Sequence, residues 1–351
     1  MNYKVKLLIF FFILINFSLL SQSKYSNEFL KIGAGARSLS LSKAVVASSV
    51  NSSAVYWNPS SLVDLSKTEL ELMHASYFSG IANFDQFSYA KKVDNSQAVG
   101  FMLLRFGVDD IMNTTNLIDN EGNVDYNQID LFSTADYAFL FSYARKDVFK
   151  GFDAGANIKI IYRHIGDFAK AYGFGFDIST QKKIGQWRLG AIIRDASSTY
   201  TSWIFNMENF EDIYLQTDND LPDNSSELTL PSLQAGISRI ISINENFSAV
   251  TEIDFDIHID GERNTLISSD GMSFSPHFGS EIRYKEIVNF RLGIGNVTKK
   301  IQFDNSEYFT VQPDVGVGFQ FENIKIDYAL TNLGSQSIGM YSNLFSLIYC
   351  I

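Results

Sequence analysis

The chain has 351 residues and a formal net charge of −11, and this acidic balance argues against a nucleic-acid partner. Aromatic residues make up 14% of the sequence and charged residues only 19%, with just 5 prolines, a composition that favours β-structure. Cys350 is the single cysteine of the sequence, which excludes an intrachain disulfide.

The first residues have the pattern of a secretory leader. Lys4 and Lys6 precede an apolar run over 7–20, and small or polar residues follow it. This order is typical of a signal peptide, which we predict over residues 1–22. No later stretch has the roughly 18 consecutive apolar residues of a membrane-spanning helix, so a membrane location would require a closed β-barrel.

Residues 23–67 are rich in small side chains and show no long alternation of apolar and polar residues. They include a glycine-rich run at 33–37 and the stretch SSAVYWNPSSL at 52–62. Asn58-Pro59 predicts a bend into a short helical turn, because Asn favours the N-cap and Pro tolerates the first helical position. An ordinary loop that packs one Trp is the alternative interpretation.

From residue 68 onward, apolar and polar residues alternate. In 153–164, for example, Ala154, Ile158 and Ile160 share one face. A period of two is typical of half-buried strands and differs from the spacing of an amphipathic helix. We predict about fourteen strands, an even number as in bacterial outer-membrane barrels. Their approximate spans are 68–78, 84–92, 97–106, 135–145, 153–164, 171–181, 187–194, 232–241, 246–256, 276–284, 288–295, 312–322, 324–332 and 344–351.

The connections between the predicted strands differ in length from one rim to the other. Those after even-numbered strands are tight, whereas most of those after odd-numbered strands are long, such as 107–134 and 195–231. Short turns on one rim and long loops on the other are typical of outer-membrane barrels. The predicted fold is all-β: a transmembrane antiparallel barrel over 68–351, with 23–67 as an N-terminal lumenal plug. A soluble barrel with the same alternation turned inside out is the alternative.

The polar face of the predicted barrel carries charges of both signs. We expect matched charges across strands, between the cations Lys159, Arg163, Arg188, Arg194, Arg283 and Arg291 and the anions Asp177, Glu252, Asp254, Glu281 and Asp314. Because buried charges need partners, this mixture predicts a filled interior rather than an open ion-selective pore.

The sequence offers little for catalysis or metal binding. The four histidines have no metal-ligand spacing. His74 and Ser76 share a strand face, but the sequence places no carboxylate to orient the imidazole, so we predict no enzymatic activity. Residues 119–125 alternate oxygen ligands as a calcium loop does, yet the glycine is not at the sixth position, which favours an acidic solvated loop. We expect no cofactor and no metal.

Several stretches are similar to one known family. FLKIGAGARSL at 29–39 and AVYWNPSSL at 54–62 resemble the N-terminal signature of the PorV/PorQ family. Further matches lie at 74–81, 142–145 and 326–329. The chain departs from the family at Ser42-Lys43, where members have paired glycines, and at Ser60-Ser61, where they have Ala-Gly, so the subfamily stays open.

The resemblance implies a fold like that of the long-chain fatty-acid transporter, with a lumenal N-terminal segment. It also implies a non-enzymatic role in the type IX secretion system of Bacteroidota. PorV-like members collect cargo proteins by a C-terminal sorting domain and deliver them to a cell-surface attachment complex, which contains PorQ-like members. The implied partners are outer-membrane lipid, translocon or attachment-complex proteins and sorting-domain cargo. The implied plug residues are Gly33, Gly35, Arg37, Tyr56, Trp57, Asn58 and Pro59.

On this hypothesis the long loops form the cargo surface. They are acidic and contain apolar residues that are our candidate cargo contacts: Ile111, Trp203, Ile204 and Phe205. Packing of these side chains on the barrel rim is the alternative. A second hypothesis is a transporter of hydrophobic small molecules, by analogy with the fatty-acid channel, and a third is a structural member of the attachment complex. An apolar lumenal pocket beside a strand kink would favour the transporter.

Overall fold

The computed structural model describes residues 26–118, 121–206, 225–332 and 341–351. The predicted signal peptide lies outside these residues and stays a prediction. Among the helices of the described residues, none has the length and apolarity needed to cross a membrane. Short helical turns cover Glu28–Ile32, Ala36–Ser40, Ala54–Trp57, Pro59–Asp64, Phe78–Gly80 and Tyr126–Gln128.

The rest of the described chain is dominated by one antiparallel sheet. Its strands are β1 (Glu69–Tyr77), β2 (Ala82–Lys92), β3 (Gln97–Asn113), β4 (Asp130–Phe149), β5 (Phe152–Ile165), β6 (Ala169–Ile184), β7 (Trp187–Arg194), β8 (Thr199–Phe205), β9 (Ser226–Thr229), β10 (Ser232–Ser242), β11 (Phe247–His258), β12 (Ile267–Ser269), β13 (Met272–Tyr284), β14 (Val288–Ile301), β15 (Glu307–Phe321), β16 (Ile324–Thr331) and β17 (Ser342–Cys350). β1 pairs with both β2 and β17, which closes the sheet into a barrel.

The barrel wall has 14 strands, because some of the segments above share one position in it. β7 and β8 both pair with β6 and are joined through a bulge at 195–198. β9 and β10 in turn pair with β8 and β7. β12 is a short addition beside β13 within a connection. The strand count predicted from the alternation is therefore confirmed.

The observed strands extend further than the predicted ones on the side of the long connections. β3 continues to Asn113 past a bulge between Val108 and Ile111, and its partner β4 begins at Asp130. The prediction that 195–231 is a long loop is wrong in part, since β8 and β9 lie within it. Hydrogen bonds between backbones stabilise these strand ends. They need no apolar alternation, because only the part of a strand that lies in the bilayer requires it.

The two faces of the sheet differ in the way that the alternation predicts. On β6, Tyr172, Phe174 and Phe176 point outward and are exposed, whereas Gly175 and Asp177 point inward and are buried. A barrel with an apolar exterior and a polar interior is the arrangement of transmembrane β-barrels. The protein is thus a transmembrane barrel, and its candidate functional groups lie in the interior or on the rims.

Candidate functional site

The interior of the barrel contains residues 26–65, which we call the N-terminal segment. At the rim with long connections, Ser26 Oγ donates a hydrogen bond to Glu227 of β9 (2.9 Å). At the rim with short turns, Asp64 forms an ion pair with Lys183 of β6. The segment therefore runs through the barrel from one rim to the other, and most of its side chains are buried. That it acts as a plug, as the sequence suggests, stays a prediction.

Two glycines allow the N-terminal segment to fold tightly on itself. Gly33 and Gly35 have φ angles of 104° and 79°, a region that suits glycine rather than other residues. A Cβ atom at Gly33 would lie 2.9 Å from side-chain atoms of both Leu39 and Trp57. The glycine-rich run is thus needed for the close approach of the Trp57 ring.

The SSAVYWNPSSL stretch stabilises the same fold by hydrogen bonds within the segment. Trp57 Nε1–H donates to the carbonyl oxygen of Ala34 (2.7 Å), and Tyr56 Oη–H donates to the carbonyl of Leu30. Asn58 Nδ2–H donates to the carbonyl of Val46 (2.7 Å). Pro59 begins the helical turn that the Asn-Pro pair predicted. These contacts make the stretch an internal clamp of the segment.

Acidic side chains of the wall accept backbone N–H groups of the segment. Asp254 Oδ2 accepts from the N–H groups of Val45 and Val46 (2.8 and 2.9 Å), and Glu252 Oε1 accepts from that of Ala47 (2.6 Å). The expectation that these two acids match lumenal cations is therefore wrong. The irregular backbone of the segment has buried N–H groups that need acceptors, and the wall supplies them.

Arg37 connects the segment to a buried charge network in the short-turn half of the barrel. Its Nε–H donates to Glu281 Oε2 (2.9 Å), and the same carboxylate binds Arg291 (2.6 Å) and Arg283 (2.6 Å). Arg291 also pairs with Asp327 (2.6 Å). The role of Glu281 as a shared lumenal counter-ion agrees with the sequence prediction.

The remaining expected lumenal pairs are borne out only in part. Lys159 pairs with Asp177 (3.1 Å), as expected, and also with Asp195. Arg163 instead pairs with Asp136 of the neighbouring strand (2.8 Å). The other differences are that Asp314 accepts from Ser42 Oγ and that Arg188 has no carboxylate within ion-pair distance among the described residues.

A cavity of about 510 Å³ lies in the long-connection half of the interior, between residues 26–32 and the wall. Its apolar lining consists of Leu30, Ile32, Tyr56, Trp57, Leu140 and Leu233. Most of the charges that line it are paired, as Lys159 is with Asp177 and Asp195. The cavity is therefore a partly apolar chamber in which few charged side chains lack an ion-pair partner among the described residues.

Two cations that line this cavity have only neutral acceptors as hydrogen-bond partners among the described residues. Lys43 Nζ donates to the carbonyl of Lys31 (2.7 Å). Arg194 donates to the carbonyl of Tyr56 (3.0 Å) and to Gln234 Oε1 (3.3 Å), and its guanidinium lies 4.2 Å from the centre of the Tyr56 ring. Burial lowers the pKa of Lys43, an effect that Asp256 and Asp314 partly offset. Neither cation has a carboxylate within ion-pair distance in the described part of the chain.

A kink in the wall lies beside the cavity. Asp195 and Ser198, at the ends of the bulge between β7 and β8, have φ angles of 53° and 60°. Asp195 also lines the cavity. The N–H of Ala196 donates to the carbonyl of Phe176 (2.7 Å), so the bulge stays paired with β6. The structure thus shows a strand irregularity beside the cavity that keeps its backbone hydrogen bond to the neighbouring strand.

The four candidate cargo contacts lie in different environments. Trp203 is buried on β8: its indole N–H donates to Glu227 (3.0 Å) and its ring stacks on that of Phe205. The expectation that Trp203 is exposed on a loop is therefore wrong, because β8 pairs with β6 and turns this side chain inward. Ile204 is exposed on the other face of β8, and Ile111 is half-buried at the bulge of β3. Their contact with cargo stays a prediction.

The prediction that no carboxylate orients His74 is wrong. His74 Nδ1 lies 2.7 Å from Asp85 Oδ1, so a carboxylate does orient this imidazole. The pair arises because His74 of β1 and Asp85 of β2 are register partners, which the sequence alone did not reveal. Within the described residues, Ser76 Oγ has no hydrogen bond to His74. The pair is exposed, and its side chains form a polar contact on the outer surface.

Comparison with known proteins supports the barrel fold. No family model and no curated protein matches the chain. Among solved structures it is similar to the toluene transporter TodX of Pseudomonas putida, with 14% identity, a TM-score of 0.54 and coverage of 91% of this chain and 99% of that one. It is also similar to the toluene transporter TbuX of Ralstonia pickettii (13%, 0.52, 91% and 98%) and to a FadL homologue from Pseudomonas aeruginosa (12%, 0.52, 90% and 98%).

At these identities the likeness concerns the fold: a 14-stranded barrel of the kind found in outer-membrane transporters. None of these comparisons bears on the finer PorV/PorQ assignment, which stays a hypothesis.

Proposed function

We propose that this protein is an outer-membrane transport barrel that binds small amphipathic anions in the cavity between its N-terminal segment and its wall. The observation that carries the proposal is the pair Lys43 and Arg194, two cations without a carboxylate partner among the described residues that face one partly apolar chamber. Carboxylates such as Asp256 and Asp314 act on Lys43 from beyond ion-pair distance, so an anionic group would supply a directly bonded counter-charge, and an apolar body would fill the rest of the chamber.

The size and lining of the chamber fit this ligand class. Its volume of about 510 Å³ lies within the range of small-molecule sites, which are mostly apolar with a few placed polar groups. Tyr56 and Trp57 give it aromatic surface, and hydrogen bonds fix both rings in position. Charge-assisted hydrogen bonds to a ligand would be among the strongest contacts available there.

The structural neighbours support transport as the class of function. Two of them are named as toluene transporters, and toluene is an uncharged aromatic hydrocarbon. The bulge between β7 and β8 adds a strand irregularity next to the chamber, a feature that a lateral passage through a barrel wall requires. The cations of this chain distinguish its chamber from a purely apolar one.

Calorimetric titration of the purified barrel with benzoate and with benzyl alcohol tests the proposal, because the two probes share a ring and differ in charge. We expect benzoate to bind at least about tenfold more tightly, since a hydrogen bond to a charged group is worth about 1.5–3 kcal/mol. Lys43→Met should remove most of this preference. The matched control is Lys170→Met, which removes an exposed cation on the outer face of β6.

The results of this titration test the anion preference and the small-molecule site separately. Equal affinity for the two probes would refute the anion preference while leaving the cavity as a small-molecule site. Absence of binding by either probe would refute the transport assignment of the cavity. A loss of benzoate binding in the Lys170→Met control would show that the measured site lies on the outer surface.

A second candidate function is the type IX secretion role implied by the PorV/PorQ resemblance. The observation in its favour is that the β3–β4 and β14–β15 connections carry exposed apolar side chains, among them Ile118, Tyr126 and Phe303. The sequence between 106 and 144 contains several acids and no Lys or Arg, so the part of a cargo protein that binds there would be basic.

Deletion of the gene, followed by assays of sorting-domain protein secretion and of small-molecule uptake, separates the two functions. Lost secretion with normal uptake would support the secretion role, and the reverse result would support transport. Tyr126→Ser combined with Phe303→Ser should weaken cargo binding if these connections form the cargo surface. Co-purification with a sortase but not with a translocon would instead favour a structural member of the attachment complex.

A further inference from the structure

The outer surface of the barrel carries four cation–aromatic pairs at the rim with short turns, and we call this set the belt. The distances from the cationic atom to the ring centre are between 4.4 and 5.4 Å. The pairs are Lys150 with Phe149, Lys182 with Phe152, Arg239 with Trp187 and Lys285 with Tyr284. They lie at the β4–β5, β6–β7, β10–β11 and β13–β14 ends of the wall, which are neighbours around the barrel.

The alternation of the strands shows that the belt faces outward. On β6, inward residues such as Asp177 and Gln181 are buried, and Lys182 belongs to the opposite face. On β7 and β10, Trp187 and Arg239 are register partners on the outward face. The other described cation–aromatic contacts, made by Arg163 and Arg194, lie inside the barrel. The outward pairs are thus confined to one rim in the described part of the chain.

The position of the belt corresponds to a membrane interface. Lys170 and Lys182 lie on the same outward face of β6, and Tyr172, Phe174, Phe176 and Ile178 lie between them. The strand between the two lysines is about 40 Å long, or about 30 Å in height at the usual tilt of barrel strands. This height slightly exceeds the apolar band of such barrels, about 25 Å, so each lysine reaches the headgroup level.

The belt has unbalanced positive charge. None of its four cations lies within ion-pair distance of a carboxylate among the described residues, and Lys182 Nζ bonds only the carbonyl of Lys150 (3.0 Å). Aromatic rings lie beside the cations at the wall, a position at which headgroups of the adjoining leaflet would contact them. A phosphate-bearing headgroup with net negative charge would complete these contacts.

We propose that the belt binds anionic phospholipids of the leaflet on the short-turn side, and that it selects them by the negative charge of their headgroups. Each belt cation that meets an anionic headgroup contributes about a fivefold preference over a neutral lipid. The binding fixes the vertical position of the barrel at this rim. It is independent of what the cavity binds.

Titration of the folded, full-length barrel in micelles with short-chain phosphatidylglycerol and phosphatidylcholine tests this inference. We expect phosphatidylglycerol to bind preferentially, and Lys182→Gln combined with Arg239→Gln to reduce that preference by at least about tenfold. The matched control is Lys170→Gln combined with Lys300→Gln, which removes two cations at the long-connection end and should leave the preference unchanged. Migration on gels with and without boiling verifies that each variant is folded.

Three results would overturn the inference. Equal binding of the two lipids by the wild-type barrel would remove the charge selection. An equal loss in the control variant would show that total charge, and not the belt, attracts the lipid. Displacement of phosphatidylglycerol by an equal concentration of inorganic phosphate would identify a site for free anions instead of a lipid site.

Discussion

The two halves of the barrel interior differ in how the N-terminal segment fills them. In the short-turn half, Arg37 shares the Glu281 carboxylate with Arg291, and the backbone at Ser60 lies directly against Gly155 of the wall. In the long-connection half, the same segment leaves a cavity of about 510 Å³. One segment can therefore be fixed at one end of a barrel and leave a cavity at the other.

The charges of the two halves differ in the same way. Around Glu281, the guanidinium groups of Arg37, Arg283 and Arg291 share its carboxylate, and in the described part of the chain only Arg188 beside them has no carboxylate within ion-pair distance. Around the cavity, Lys43 and Arg194 bond only neutral acceptors among the described residues. Removing a charge should therefore destabilise the fold in the first half and change ligand binding in the second.

The largest expected effect is that of Glu281→Gln. The amide would leave Arg37 and Arg291 buried beside each other without their shared anion, which we expect to cost about 3–5 kcal/mol of unfolding free energy. Urea unfolding of the refolded barrel, monitored by gel migration without boiling, measures the loss. Glu286→Gln removes an exposed partner of Arg283 and is the control, with an expected loss below about 1 kcal/mol. Equal losses would show that the network does not fix the segment.

A smaller effect is expected from Gly155→Ala. An added Cβ atom would clash with the backbone of Ser60, and relieving the clash should cost about 2–3 kcal/mol in the same unfolding assay. Gly271→Ala is the control, since a Cβ atom there meets no other atom within 4 Å. If both variants are as stable as the wild type, the close contact of segment and wall in the short-turn half is wrong.

Trp57→Phe tests the internal clamp of the segment next to the cavity. Loss of the indole N–H leaves the buried carbonyl of Ala34 without this donor, which should cost about 1–2 kcal/mol. Trp187→Phe, on the outward face of β7, should change stability by less than about 0.5 kcal/mol. A Trp57 variant as stable as the Trp187 variant would argue against the clamp.

The smallest expected effect is a pH dependence of anion binding in the cavity. Because burial lowers the pKa of Lys43, its ammonium group should lose its proton at lower pH than an ordinary lysine does. Benzoate affinity should then fall as the pH rises toward the alkaline range, by up to about tenfold. Lys43→Arg keeps its charge and should flatten this decline. An identical decline in both proteins would assign the effect to another group.

Much of the barrel could be predicted from local pattern. The alternation over 153–164 and 171–181 predicted β5 and β6 correctly, because a bilayer outside and a polar interior impose opposite requirements on successive residues. The unequal connections predicted which strand ends form the tight rim for the same reason. The Asn58-Pro59 pair predicted its helical turn because the constraint acts within two residues.

The sequence did not predict side-chain contacts that depend on the register between strands or on the path of the N-terminal segment through the barrel. His74 meets Asp85, and Asp254 meets the backbone at Val45 and Val46, over separations that no periodicity reveals. The inward turn of Trp203 likewise depends on which part of β6 pairs with β8. The alternation of apolar and polar residues predicts which face of the sheet a side chain lies on. The residues that this side chain contacts depend on how the sheet closes and on the segment packed inside it.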